Sequence, residues 1–195
     1  MIMARPQKYQ REKVIDAAQA LFWQKGYQAT SVVDLQSATE LKPGSLYKAF
    51  GNKDGLLQAV LENYSNNTLL FIDSLTEKHS SVMAVLEVFL NRQIDRSCEK
   101  DAEGCLLVNS LLELQGYKPQ LETEVKQQLL RVQVRFAQLI EQGIKSGELS
   151  DKMDASGKAT AIMTVVWGLS VMSRMSPNKT HLQTFCDDFL ATMSS

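Results

Sequence analysis

The sequence predicts an all-α protein of about nine helices, and three observations support this fold class. Apolar residues recur at helical spacing through most of the chain, and no region shows a sustained alternation of β-branched residues. Gly and Pro are few, at ten and four among 195 residues, while Leu, Gln, Ala, Lys and Glu, which favour helices, recur throughout. A hydrophobic fraction of 44% with 22% charged residues excludes a mainly disordered chain.

The first predicted helix extends from about Gln10 to Lys25 and follows a loose basic arm at residues 1–9. Apolar side chains from Val14 to Phe22 recur at the spacing that places them on one helix face. Gly26 follows directly and supplies the left-handed residue that commonly ends a helix. We therefore expect a first helix that packs one apolar face inward.

Two short helices joined by a tight turn follow at once. Thr30 or Ser31 caps the first of them, and Asp34 stands where it completes a capping-box pattern with Ser31. The second begins at Pro43, whose missing N–H costs nothing at the first helical position, and ends near Phe50. This second helix combines apolar positions with groups suited to phosphates and base edges. The pattern predicts a helix-turn-helix whose second helix enters the DNA major groove.

A long fourth helix is predicted from Lys53 to about Glu77, with Asn52 as its cap and Asp54 beside the positive end of its dipole. The composition changes near residue 55. The sequence therefore predicts a DNA-binding head, residues 1–55, and an effector-binding and dimerisation body, residues 56–195. The further helices of the body are expected at about 81–98, 104–115, 119–146, 154–175 and 177–193.

Charge is distributed unevenly between the head and the body. The head has eight Lys and Arg residues and five Asp and Glu residues, for a net charge of +3. The body has 13 basic and 17 acidic residues, for a net charge of −4, and the whole chain has a net charge of −1. A positive head on an acidic body is the arrangement expected when only the head meets phosphates.

A series of spaced residues in the head matches a known family pattern. The series is Ala17, Ala18, Leu21, Phe22, Gly26, Tyr27, Thr30 and Ser31, then Gly44, Ser45, Leu46, Tyr47, Phe50, Lys53 and Leu56. With these residues at this spacing, the chain resembles the TetR family of bacterial transcriptional regulators. The resemblance implies three N-terminal helices that bind DNA, and a body that binds a small molecule and dimerises through its last two helices.

Eight residues are the predicted DNA contacts. Tyr47 and Lys48 lie where the resembled recognition helix faces the duplex, and both a phenol and an ammonium reach phosphate. Lys53 lies at the start of the fourth helix, where N–H groups and a cation form a phosphate clamp. Glu40 replaces the Gly that the family usually has in the turn, and we expect it to adopt a positive φ at a cost of about 1 kcal/mol. The predicted set is Thr30, Ser31, Lys42, Pro43, Ser45, Tyr47, Lys48 and Lys53.

Aromatic and polar side chains of the body are predicted to line an effector pocket, although core packing explains the aromatic residues equally well. Cys105, placed in the first turn of a predicted helix, has two interpretations. It is either a small buried residue or a thiol that senses oxidants or electrophiles, as in some members of the resembled family. The predicted lining residues are Tyr64, Phe71, Phe89, Cys105, Asn109, Phe136 and Trp167.

Several classes of protein are disfavoured. The chain has no Gly-rich phosphate loop and no nucleophile elbow, and its two His residues have no nearby Cys or carboxylate constellation, so we expect no enzyme, metal or cofactor. Three cysteines without a C-x-x-C pair fit a reducing cytoplasm. The apolar run Ala159–Met172 is too short to span a bilayer, and the N-terminus lacks the apolar core of a signal peptide.

We therefore expect a cytoplasmic homodimer that binds a palindromic operator in double-stranded DNA, paired through the helices at about 154–175 and 177–193. A small-molecule effector, electrophilic or oxidising if Cys105 is the sensor, would release the operator from the repressor. An activator is the alternative within the same class. An enzyme and a constitutive architectural DNA-binding protein are the alternatives from other classes.

Overall fold

A computed structural model describes residues 5–100 and 102–193, and all regular secondary structure in these ranges is helical, which confirms the all-α prediction. In the same ranges, no helix is both long enough and apolar enough to cross a membrane. The described residues form nine α-helices: α1 (Arg5–Lys25), α2 (Val32–Thr39), α3 (Pro43–Phe50), α4 (Lys53–Lys78), α5 (Val82–Ser97), α6 (Leu106–Leu114), α7 (Pro119–Ser146), α8 (Ala155–Met172) and α9 (Lys179–Ala191).

Most helix boundaries lie within a few residues of the predicted ones, and three differ in a way that matters. Helix α1 begins at Arg5 rather than near Gln10; of the predicted basic arm, residues 1–4 lie outside the described residues and the rest is helical. Cys105 directly precedes α6 instead of lying in its first turn. Helix α8 ends at Met172, where a 3-10 turn and the left-handed Ser176, with a φ of 49°, redirect the chain.

The chain divides into two compact units. The first comprises residues up to Ser65 together with the return segment Asn109–Gln128, and the second comprises Asn66–Val108 and the chain from Leu129 onward. Helices α4, α6 and α7 each contribute residues to both units. The unit that contains the head thus extends past residue 55 and includes a segment that is remote in sequence. The functional boundary at residue 55 stays a prediction.

Leucine side chains from three helices form the core of the first unit. Leu35 on α2, Leu46 on α3 and Leu56 on α4 each expose at most 2% of their surface. Phe22 stacks on Tyr27, with ring centroids 6.2 Å apart, where α1 ends. Helices α2 and α3 have only eight residues each, so they depend on packing against their neighbours. The few buried side chains therefore fix their positions in this unit.

The second unit is built around long helices and an aromatic cluster. The ring centroid of Phe89 lies 6.1 Å from that of Phe71 and 5.0 Å from that of Phe136. A carboxylate from the turn after α7 caps α5: Glu148 accepts the backbone N–H of Val82 at 2.8 Å. Burial opposes ionisation, but hydrogen bonds from the first turn of α5 outweigh it and lower the pKa of Glu148.

Candidate DNA-binding interface

Helix α3 has one buried face and one exposed face. Lys42 precedes the helix in an extended conformation, and Pro43 occupies its first turn as predicted. Leu46 is buried at 2% exposure, whereas Tyr47 keeps 41% of its surface exposed and Lys48 is exposed as well. The helix therefore packs one face inward through Leu46 and presents the phenol of Tyr47 and the ammonium of Lys48 to solvent.

The turn between α2 and α3 has the backbone conformation expected for Glu40. Its φ and ψ are 57° and 17°, in the left-handed region, and it forms the C-cap of α2. A residue with a Cβ is disfavoured there by about 1 kcal/mol relative to Gly. The Glu40 side chain is exposed. The turn thus has both local strain and a negative charge close to the start of α3.

The start of α2 is held by a complete capping box. Ser31 Oγ accepts the Asp34 N–H at 3.0 Å, and the Asp34 carboxylate accepts the Ser31 N–H at 2.9 Å. The hydrogen bond from Lys25, followed by those from Ser31, lowers the pKa of Asp34 to about 2. Thr30, one of the predicted DNA contacts, is fully buried, and its hydroxyl donates to the Gly26 carbonyl at 2.6 Å. Thr30 stabilises the α1–α2 turn from the inside.

Lys53 lies at the predicted position, and Asn52 caps α4 by accepting a backbone N–H of its first turn at 2.8 Å. The Lys53 ammonium lies 4.2 Å from the centroid of the Tyr27 ring. Burial lowers the pKa of Lys53, although the charges of Glu113 and Asp54 oppose this effect. Lys53 is half-buried, whereas most of the predicted DNA contacts are exposed. The predicted contacts with exposed side chains are Ser31, Lys42, Pro43, Ser45, Tyr47 and Lys48.

Arg11 on α1 holds the C-terminal end of α3, a role that local sequence patterns do not reveal. Its Nη1 donates to the Ala49 carbonyl at 3.0 Å, and its guanidinium lies 4.3 Å from the centroid of the Phe50 ring. A cation at this position complements the negative end of the helix dipole. Because Arg11 and Ala49 are 38 residues apart, no periodicity links them. Arg11 therefore holds the C-terminal end of α3 in place.

The predicted effector-pocket residues are divided between the two units. Tyr64 and Asn109 belong to the first unit, and the other five belong to the second. Within the second unit, Phe89 and Phe136 are almost completely buried, at 2% and 0% exposure, as members of the aromatic cluster. The indole Nε1 of Trp167 is also buried, and it has no hydrogen-bond partner among the described residues. The second unit thus combines packed aromatic rings with an unsatisfied donor.

The cysteines differ in their surroundings. Cys98 and Cys105 are partly exposed, whereas Cys186 is buried. Burial, followed by the charge of Asp187, raises the pKa of the Cys186 thiol to about 11. The Cys186 thiol therefore stays protonated near neutral pH. In the part of the chain that the structure describes, no group of three or more His, Cys, Asp or Glu residues could hold a metal ion.

A capped helix, a tight turn and a short helix with an exposed polar and aromatic face define a helix-turn-helix DNA-binding protein. Two family models match the chain. Residues 14–60 match the bacterial regulatory proteins of the tetR family, and residues 81–189 match the tetracyclin repressor-like C-terminal domain. The chain belongs to the TetR family, as the sequence resemblance indicated, and it is a transcriptional regulator rather than an enzyme.

Individual relatives agree with this classification. The HTH-type transcriptional repressor ComR of Escherichia coli strain K12 is 30% identical over 179 residues, which cover 87% of this chain and 82% of ComR. A TetR family regulator from Cytophaga hutchinsonii shares the fold, with a TM-score of 0.83, 20% identity, and 100% and 98% of the two chains covered. A cysteine-substituted CifR in complex with a 26-bp double-strand operator DNA has a TM-score of 0.79 and 25% identity, with 93% and 95% covered.

Proposed function

We propose that this protein is a repressor that binds a palindromic operator as a homodimer and releases it when a small-molecule effector binds. The observation that carries the proposal is the exposed face of α3, where Tyr47 and Lys48 project from a helix that buries Leu46. Lys42 and Ser45 extend this surface and suit contacts to phosphates. The proposal is also supported by ComR, which is a repressor, and by CifR, which binds an operator.

Helices α8 and α9 supply the proposed dimer interface. Val171 and Met175, at the end of α8 and just beyond it, expose 57% and 68% of their surfaces, and Phe185 on α9 exposes 53%. A Cβ built on Gly168 of α8 would meet no other atom within 4 Å, so a second helix could approach closely. Pairing with a second copy would bury these apolar surfaces. A twofold dimer would present two α3 helices to half-sites about 34 Å apart.

The proposed effector site lies in the second unit, near the cluster of Phe71, Phe89 and Phe136. The buried Trp167 Nε1 supports a ligand with a carbonyl or similar acceptor, because an unsatisfied buried donor costs about 1–3 kcal/mol. Helix α4 offers a mechanical connection, since Lys53 and Phe71 lie on the same helix. Release requires the effector to prefer the DNA-free conformation, typically by about 1–3 kcal/mol. Tyr64 and Asn109 belong to the first unit, so they are not part of this proposed site and stay predictions of the sequence.

Cys105 would add covalent chemistry if the effector is an electrophile or an oxidant. Its partial exposure and its position directly before α6 support this role, whereas the apolar residues that follow it support simple packing. Cys105→Ser removes the nucleophile and separates the two roles. We expect the result of simple packing, in which quinones or peroxide still release the operator from the variant and its thermal midpoint falls modestly.

Because operator DNA is cytoplasmic, we place the repressor in the cytoplasm, and we propose no membrane partner and no cofactor.

The decisive test is operator binding by a variant of α3. The operator probe is obtained by selecting, from fragmented genomic DNA, the duplexes that purified wild-type protein binds. Fluorescence anisotropy then measures the affinity of each variant for this probe. Tyr47→Ala should abolish operator binding, while sedimentation velocity shows the same dimer as the wild type. Tyr117→Ala is the matched control, because Tyr117 is 55% exposed outside the helix-turn-helix. Normal operator binding by the Tyr47 variant, or a stable wild-type monomer at micromolar concentration, would contradict the proposal.

A further inference from the structure

The α1–α2 turn is bound by a side chain from a remote part of the sequence. Glu113 lies near the end of α6, in the return segment, and belongs to the first unit together with this turn. Its Oε2 accepts the backbone N–H of Tyr27 at 2.8 Å, and its Oε1 accepts that of Gln28 at 2.7 Å. The side-chain amide of Gln28 also donates, to the backbone carbonyl of Glu113 at 3.3 Å. One carboxylate therefore binds two successive amides.

The backbone of the turn is shaped to receive this carboxylate. Gly26 has a φ of 81°, and a Cβ built on it would lie 3.0 Å from both carboxylate oxygens of Glu113. A larger residue at position 26 would thus be strained and would also displace Glu113. Hydrogen bonds from backbone N–H groups to a carboxylate are stronger than neutral ones. Glycine and carboxylate together specify the conformation of the turn.

This conformation determines where α2 begins. The Thr30 hydroxyl donates to the Gly26 carbonyl at 2.6 Å, within the same turn. Ser31, the next residue, is the N-cap of α2. Because α3 follows α2 after a short turn, a change in the α1–α2 turn would shift both helices of the helix-turn-helix.

The return segment also holds the side chain of Tyr27, through the phenol hydroxyl. The Tyr27 hydroxyl donates to the Asp54 carboxylate, which also accepts a hydrogen bond from Lys118 Nζ at 2.9 Å. Burial, followed by the bond to Asp54, raises the pKa of Tyr27 to about 12, so the hydroxyl remains a donor. Glu113 and Lys118 therefore bind Tyr27 from both ends, one directly and one through Asp54.

We propose that Glu113 is a positioning residue for operator binding, because it fixes the α1–α2 turn and thereby the orientation of α2 and α3. The inference rests on the proposed function. Operator recognition needs accurate placement of the recognition helix, whereas attraction to unrelated DNA depends mainly on phosphate charges. Loss of the Glu113 carboxylate should therefore reduce operator affinity far more than affinity for unrelated DNA.

Three variants of the full chain test this role. Glu113→Ala removes both hydrogen bonds, and Glu113→Gln keeps one oxygen acceptor. Glu122→Ala is the matched control, since Glu122 belongs to the return segment and accepts the Gly116 N–H at 3.1 Å, within that segment. We expect Glu113→Ala to weaken operator binding at least about tenfold and binding to a scrambled duplex less than about twofold. Glu113→Gln should be intermediate, and Glu122→Ala should lie within about twofold of the wild type on both duplexes.

Two further measurements separate positioning from folding. Circular dichroism identifies the folded variants, and Glu113→Gln decides the question if Glu113→Ala is unfolded. Hydrogen exchange at the Tyr27 and Gln28 amides should accelerate in the folded variants. Unchanged operator affinity, or equal losses on operator and scrambled DNA, would overturn the positioning role while leaving the proposed function intact. A wild-type protein that selects no duplex would instead overturn the proposed function, and this inference with it.

Discussion

The head and the second unit are stabilised by different kinds of contact. In the head, side chains hold helix ends and turns: Ser31 caps α2, Arg11 binds the end of α3, and Glu113, from the return segment, binds the α1–α2 turn. In the second unit, long helices bury apolar side chains around Phe89 and Phe136. Short helices offer few core positions, so polar contacts at their ends provide a larger share of their stability. The head should therefore respond to changes in charge and backbone, and the second unit to changes in volume.

The largest expected effect is a cavity in the second unit. Phe136 is fully buried, with its ring centroid 5.0 Å from that of Phe89. Phe136→Ala should lower the free energy of unfolding by about 3–5 kcal/mol, measured by urea denaturation. Phe136→Leu is the control, because it retains most of the volume and should cost less than half as much. A loss below about 1 kcal/mol for Phe136→Ala would show that the aromatic cluster does not support this unit.

A smaller effect is expected from one charge on the head. Lys48 is exposed on α3, beside Tyr47. If it binds a phosphate, Lys48→Ala should weaken binding to all duplexes by a similar factor and reduce the slope of log affinity against log salt by about 0.9. Anisotropy titrations at several salt concentrations measure this slope. Lys152→Ala removes an exposed charge from the second unit and should leave the slope unchanged. Equal slopes for the wild type and Lys48→Ala would exclude a phosphate contact.

Backbone strain in the head should produce a gain in stability when it is removed. Glu40 has a φ of 57° at the C-cap of α2. Glu40→Gly should raise the free energy of unfolding by up to about 1 kcal/mol, because Gly adopts this conformation without steric cost. Glu40→Ala removes the charge but keeps the Cβ, so it should not share this gain. Thermal denaturation of the two variants separates strain from charge, and equal midpoints would show that the turn is not strained.

The smallest expected effect is a change in how the stability of the protein depends on pH in the acidic range. The pKa of Asp34 falls from an ordinary 3.8 to about 2 in the folded protein. A lowered carboxyl pKa contributes stability above pH 3.8, and this contribution disappears as the pH falls through about 2. The thermal midpoint of Asp34→Asn should therefore be lower than that of the wild type near neutral pH and change less between pH 4 and pH 2. Parallel curves for the two proteins would contradict this assignment.

Local signals in the sequence were sufficient to predict the helices and to indicate the family. Apolar spacing, Gly26 and Pro43 predicted where helices begin and end, and the capping box at Ser31 and the cap at Asn52 are present as expected. The positive φ of Glu40 also agrees with its prediction. These features depend on residues within about one helical turn of each other, so their physical causes are visible in a short stretch of sequence.

The contacts that hold α2, α3 and the α1–α2 turn were decided only by the tertiary structure. Glu113 binds amides 85 and 86 residues away, and Arg11 binds a carbonyl 38 residues away. Thr30 is among the predicted DNA contacts, but its side chain is buried, and Lys53 lies against the Tyr27 ring. By itself, the sequence determined which segments are helices and which side chains suit DNA. Packing determined which of those side chains remain exposed, because burial and hydrogen bonding depend on groups that meet only when remote segments come together.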